Sequence, residues 1–178
     1  MADIVSPETR SRMMSGIKGK DTVPELLVRK ALFARGFRYR IHDKNLPGKP
    51  DLVLPRYRAA VFIQGCFWHQ HDCHLFKWPK SRHDFWRTKI ESNKTRDAKV
   101  ISDLTTSGWR VLIIWECSLK GKKRLPLEEL SDMVVNWLCS NITYLEVTGC
   151  ELTDSRSTKT GNDKRRSTKT VCQTPGGK

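Results

Sequence analysis

Apolar residues in this chain fall into two kinds of run, and the contrast between them sets the expected elements. Dense runs read as strands: Phe37 to Ile41, Asp51 to Leu54, Ala59 to Ile63 and Arg110 to Trp115. The second and third form a hairpin around Pro55-Arg56-Tyr57, and the last is a buried strand. Spaced apolar positions among polar ones read as helices. Ser6-Pro7-Glu8 has a capping hydroxyl, a proline in the first turn and then an acid, so a short helix runs to about Gly16. Thr22-Val23-Pro24-Glu25 opens a second helix, with Glu25 placed for a capping box. It carries Leu26, Leu27, Lys30, Ala31 and Phe33 and stops at Gly36. Asp84 to Leu104 makes a long polar helix ending near Gly108. Leu127 to Cys139 makes a closing one, with Leu130, Val134, Trp137 and Leu138 turned inward. The chain is α/β.

At 178 residues it fits one domain with a proper core, plus tails. Residues 1–20 are expected to form an N-terminal arm, 21–150 the domain and 151–178 a disordered basic tail. From Asp154 the composition shifts to Ser, Thr, Lys and Gly, and Arg-Ser-Thr-Lys-Thr occurs twice, at 156–160 and 166–170. Such a stretch cannot bury enough apolar surface to order itself.

Charge narrows the partner. The balance of 33 basic against 19 acidic residues gives +14. The tail from Asp154 holds seven Lys/Arg and two Asp, so +9 remains on the rest of the chain. A field of that sign favours a polyanion, and nucleic acid over a membrane, since no lipidation motif or basic amphipathic helix is evident. The N-terminus lacks the pattern of a signal peptide and no run approaches a membrane span, so a cytoplasmic protein is expected. Six unevenly spaced cysteines in a reducing compartment point to metal binding rather than a disulfide framework. Cys139, Cys150 and Cys172 are expected to be unpaired thiols.

The metal signal is Gly65-Cys66-Phe67-Trp68-His69-Gln70-His71-Asp72-Cys73-His74. Thiolate and neutral imidazole fill tetrahedral zinc shells, which in structural sites hold four protein ligands. Cys66, His71 and Cys73 supply three, with His74 the rival to His71. Cys117, directly after the strand ending at Trp115, is the best fourth. His69 is left outside the shell beside an aromatic pair, free for chemistry. His42, His74 and His83 are expected to be surface or structural residues. On the long helix Trp86, Lys89, Asn93 and Asp97 recur at steps of three, four and four, hence on one face.

Pro50-Asp51 opens a strand, as in the first half of the PD-(D/E)xK nuclease pattern, but the acid-x-Lys of the second half is replaced by Ile63-Gln64-Gly65. The stretches Leu46-Pro47-Gly48-Lys49-Pro50-Asp51, Val61 to His69 and Trp115-Glu116-Cys117, with Thr9 to Met14, Phe85-Trp86-x-x-Lys89-Ile90 and Gly108 to Ile113, resemble the very-short-patch mismatch repair endonucleases (Vsr). The resemblance covers about residues 8 to 138. It implies a restriction-endonuclease-like fold, with a mixed sheet flanked by helices. It also implies an Mg²⁺-dependent enzyme that nicks duplex DNA on the 5′ side of the thymine in a T·G mismatch left by 5-methylcytosine deamination.

Residue by residue, the resemblance makes Asp51 an Mg²⁺ ligand, the Ile63 backbone carbonyl a second and His69 the general base. Cys66, His71, Cys73 and Cys117 hold structural Zn²⁺, while Glu25 and Asp97 hold metal-bound waters. Phe67, Trp68 and Trp86 are wedges from the major groove, and Met14 approaches from the minor groove. Lys89 and Asn93 donate to base edges. Arg10, Arg12, Lys18 and Lys20 are expected phosphate contacts, which orient without specifying. The family commonly has Thr at 63 and His at 64, so Ile63 and Gln64 are departures. A monomer working alongside a cytosine-5 DNA methyltransferase is implied. The rival readings are a zinc-stapled DNA-binding protein without catalysis and a sequence-specific restriction nuclease on the same scaffold.

Overall fold

The computed structural model describes residues 6–16 and 19–149. In chain order these form α1 (Pro7–Ser15), α2 (Val23–Ala34), β1 (Leu52–Leu54), β2 (Ala59–Gln64), α3 (His83–Thr106), β3 (Arg110–Trp115), α4 (Leu127–Leu138) and β4 (Tyr144–Val147). One four-stranded sheet has the order β1-β2-β3-β4. β1 and β2 are antiparallel, Leu52 opposite Val61, while β3 runs parallel to β2 and β4 parallel to β3.

β3 is central because its sequence lets it be covered on both faces. All residues from Val111 to Trp115 are buried, as an inner strand between helical layers requires. Alternation divides them. Leu112 and Ile114 join Val28 and Leu32 of α2 and Leu130, Val134 and Trp137 of α4. Val111, Ile113 and Trp115 join Leu104 of α3 together with Cys66 and Cys117. Burying each large apolar side chain contributes about 1.5–3 kcal/mol. The Arg110 guanidinium donates to the carbonyls of Trp137, Leu138 and Ile142, tying the end of α4 to the start of β3.

The structure corrects several expectations. Phe37 to Ile41 is not a strand: only Arg40 pairs, exchanging both backbone bonds with Val53 at 2.9 and 2.8 Å. Gly36 (φ +86°) and His42 (φ +48°) lie just outside the segment at either end in left-handed conformations, and β1 is only three residues long. Phe37 instead turns inward, its ring 5.6 Å from that of Tyr57. β4 went unforeseen; its alternation is shallow, with only Val147 fully buried. At α2, the Glu25 carboxylate accepts from the Asp21 N–H (2.9 Å) and the Thr22 hydroxyl (2.8 Å). The Thr22 hydroxyl makes no return bond to the helix, and Glu25 takes the N–H of Asp21 in place of that of Thr22, so neither arm of the capping box forms. Cys139, expected as an unpaired thiol, is disulfide-bonded. Cys150, Cys172 and the tail lie outside the described residues.

Candidate active site and metal centre

Asp51 sits where the short β1–β2 ladder ends. The turn before it needs Gly48 at φ +71°, since a Cβ there would stand 2.4 Å from a Val100 methyl. Leaving that turn, the Asp51 Oδ2 atom accepts the Ile63 N–H at 2.7 Å. Oδ1 faces His42, whose Nδ1 is 3.8 Å away. Burial, with a smaller push from the Glu25 charge and an opposing pull from the Ile63 N–H, raises the Asp51 carboxyl to about 6. Folding therefore disfavours its ionised form, so its contribution to stability is present below about pH 4 and is lost as pH rises through about 6. In metal-free protein, Asp51→Asn is expected to melt above wild type at pH 8, with the gap closing towards pH 4. Thermal unfolding at both pH values checks this; a gap that does not change with pH would remove the burial argument. A cation taken by this carboxylate needs it ionised, so its affinity should weaken as pH falls below about 6.

The loop after β2 folds on itself through Trp68 N–H and His69 N–H to the Gly65 carbonyl and His71 N–H to the Cys66 carbonyl. Gln70 adopts φ +50° to make the bend. The result brings Cys66, His71, Cys73 and Cys117 together, one ligand atom from each within 4.8 Å of the others. His71 Nδ1 is 3.5 Å from both the Cys66 and Cys117 sulfurs. Cys117 comes from the single turn following β3, so the cluster joins two chain segments. Burial pushes the Cys66 and Cys117 thiols up and the His71 imidazole down. A cation is what would let these crowded thiols ionise together. His74 is exposed and outside the cluster; its Nε2 lies against Gly121.

Pinning this loop fixes His69. Its Nδ1 is hydrogen-bonded to Asp97 Oδ2 from α3. Since an ionised carboxylate only accepts, the ring proton lies on Nδ1 and Nε2 keeps its lone pair. Asp97 is thus engaged by the histidine itself, a partnership that helix spacing did not reveal. His69 and Asp51 line one open cleft of about 1040 Å³, shared with Glu25, Ile63 and the cationic residues Lys20, Lys44, Lys49 and Arg96. Lys49 and Arg96 were not foreseen; nothing in their spacing marks them.

Glu25 is buried and already serves three donors: Asp21 N–H, the Thr22 hydroxyl and the Arg29 guanidinium at 2.8 Å. Arg29 also binds Asp21 and contacts His42. Sequence reading missed Arg29, although Asp21, Glu25 and Arg29 at successive steps of four carry the signal of a helical ion pair.

Among the candidate DNA contacts, Phe67, Trp68 and Trp86 form one half-buried aromatic cluster, with ring centroids 5.2–6.0 Å apart. Phe76, Trp78 and Phe85 extend it. Lys89 is exposed. Asn93, expected to donate to base edges, is 6% exposed, and its amide donates to the Trp68 carbonyl at 2.9 Å. It also accepts from Arg96. Arg12 and Lys20 are exposed. Arg10 and Met14 lie on α1, where their side chains are outside the described set, as is Lys18 altogether.

Residues 2–75 match the family model described as DNA mismatch endonuclease Vsr. A DNA mismatch endonuclease Vsr of Escherichia coli (strain K12) is 45% identical over 139 residues, 78% of this chain and 89% of that protein. The type II nicking enzyme V.XorIIP of Xanthomonas oryzae pv. oryzae (strain KACC10331 / KXO85) is 46% identical over 119 residues, covering 67% and 88%. The type II nicking enzyme V.NmeAIP of Neisseria meningitidis serogroup A is 50% identical over 122 residues, covering 68% and 87%.

Proposed function

Because the chain belongs to the DNA mismatch endonuclease Vsr family, we propose that it nicks one strand of duplex DNA 5′ to the thymine of a T·G mismatch, initiating very-short-patch repair. The observation that carries this reading is the convergence on one cleft of the Asp51 carboxylate and the Asp97-oriented His69 ring. Water attacking the phosphorus gives up its proton to His69 Nε2, and the P–O3′ bond breaks with its electron pair on O3′, which takes a proton from solvent water, leaving a 3′ hydroxyl and a 5′ phosphate. Asp97 keeps the ring in the correct tautomer and stabilises the imidazolium that forms. Asp51 and the Ile63 carbonyl are hard oxygen donors suited to Mg²⁺, which would stabilise charge on the phosphate and leaving oxygen.

Zinc fits the cysteine cluster. Zn–S near 2.3 Å and Zn–N near 2.0–2.1 Å imply tetrahedral S···N separations of roughly 3.6 Å, and those from His71 to Cys66 and Cys117 are 3.5 Å. Four protein ligands leave no open position, so the metal's role is to hold the loop.

The aromatic cluster at Phe67, Trp68 and Trp86 supports a wedge entering a deformable base step. Lys89 reaches base edges, Met14 works from the opposite groove, and Arg10 and Arg12 hold phosphate. Asn93, tied to the Trp68 carbonyl, acts on the mismatch through the loop it supports. The antiparallel pair followed by parallel strands, helices on both faces, supports the restriction-endonuclease-like reading. No described helix is long and apolar enough to cross a membrane. In this reading the protein is a cytoplasmic monomer that works alongside a cytosine-5 methyltransferase system.

A duplex carrying one T·G pair, incubated with protein and Mg²⁺, should yield a single nick 5′ to the thymine on a denaturing gel. A mobility shift with no nick would mark a binding protein only. Cutting of both strands of fully paired duplex would mark a restriction nuclease.

A further inference from the structure

His42 occupies the loop before β1 with φ +48°, a backbone that His and Asn tolerate better than most side chains. Its Nε2 lies 3.0 Å from the Arg29 NH2 group. A guanidinium carries only donors and does not lose its proton in proteins, so Nε2 must accept. The ring proton of neutral His42 therefore sits on Nδ1. That is the nitrogen facing Asp51, 3.8 Å from Oδ1, the oxygen left over once Oδ2 has taken the Ile63 N–H.

Arg29 is well placed to impose this tautomer. It is buried, 2.5 Å from Asp21 Oδ1 and 2.8 Å from Glu25 Oε2. Its charge is balanced by those two carboxylates, and Glu25 is itself held by Thr22 and the Asp21 N–H. Three acceptors around one planar fork fix its orientation, and through it the orientation of the imidazole.

We propose that His42 is a positioning residue for Asp51, a neutral imidazole whose tautomer Arg29 locks and whose Nδ1–H edge, held beside Oδ1, keeps that oxygen placed for a divalent cation. The proposal rests on the reading of Asp51 as a metal ligand. The 3.8 Å separation is longer than a hydrogen bond, so His42 acts here as the polar group held beside Oδ1 and makes no direct bond to it. A neutral donor suits the task, because it adds no positive charge to compete with the cation. Outer partners of metal ligands commonly hold them in this way.

Two variants separate this role from folding. His42→Asn keeps a residue tolerant of the left-handed backbone but is too short to span Arg29 and Asp51. His42→Gln keeps an acceptor and a donor on one longer side chain. Full-length protein, its cysteine cluster saturated with zinc, is titrated with Mn²⁺ and free Mn²⁺ followed by electron paramagnetic resonance. His42→Asn should weaken the site about tenfold and His42→Gln should stay within about threefold of wild type, the low end of such outer-partner effects. In wild type, long-range ¹H–¹⁵N spectra at pH 8 should show the His42 ring protonated at Nδ1. An Nε2–H pattern, wild-type affinity in His42→Asn, or a His42→Gln loss equal to that of His42→Asn overturns the proposal. Asp51→Asn serves as the separate control: if it retains wild-type Mn²⁺ affinity, the reading of Asp51 itself has failed. Loss in Asp51→Asn beside normal binding in His42→Asn sinks only the role given to His42.

Discussion

Replacing His69 by alanine is expected to lower the rate of nicking at a T·G pair by roughly 10³-fold, within the usual 10²–10⁴ contribution of a positioned general base. Binding to the mismatched duplex should stay close to wild type, because the role proposed for the ring is with the reacting water and not with the wedge. Asp97→Asn is the sharper probe. An amide can donate to Nδ1 and so stabilise the tautomer with the proton on Nε2, the wrong one for taking a proton from water. The rate should fall by about 10²-fold or more while the fold, the metal content and DNA affinity are unchanged. Asp51→Ala should abolish nicking for a different reason, loss of the cation's carboxylate, and added Mg²⁺ should not restore it. Single-turnover nicking alongside mobility-shift binding checks all three. A His69→Ala enzyme within about tenfold of wild type would show that another group accepts the proton.

The second large effect is structural. Cys73→Ala should reduce zinc content and folded protein together. Structural zinc sites in small domains contribute roughly 10–16 kcal/mol of apparent binding energy, comparable to the entire ~5–15 kcal/mol stability of a domain. Here the sheet and two apolar layers remain without the metal, so local collapse of the loop and a drop in melting temperature on the order of 10 °C are expected. Nicking should vanish along with them, since His69 stands two residues from the ligand His71. Elemental analysis and a melting curve on the same preparation test this. A stable, zinc-replete Cys73→Ala enzyme would mean that the four ligands are misassigned.

Local chemistry made much of this legible in the amino-acid string. β3 was readable to the residue because an inner parallel strand must be apolar on both sides. The hairpin of β1 and β2 was readable from Pro55 and the flanking runs. The cysteine cluster was readable because three of its members lie within eight residues and metal chemistry restricts the fourth. What escaped depends on tertiary approach. The segment after Gly36 has strand-like residues, yet its left-handed flanking residues and a short neighbour allow one bridge only. The His69–Asp97 pair unites a loop with a helix 28 positions away. The ring of charges around Arg29 gathers a helix start, a loop and the mouth of β1. Asn93 shows the limit of face-counting: helical spacing places it correctly beside Trp86 and Lys89, but only packing reveals that the loop covers it.

The four-residue strand at the edge of the sheet reaches furthest. In β4, Glu146 accepts the Trp115 indole N–H at 2.7 Å, and that indole lies flat against His71, 4.1 Å away and 10° from parallel. Two residues past β4, Gly149 donates its N–H to the Cys117 sulfur at 3.4 Å, in a gap where any Cβ would collide with the Cys117 and Lys123 carbonyls. Anyone trimming this polypeptide for crystallisation should therefore cut beyond Gly149. A terminus set at the end of α4 would look harmless on paper, yet it would strip the backing from His71 and Cys117, two of the four residues in the metal-ligand cluster.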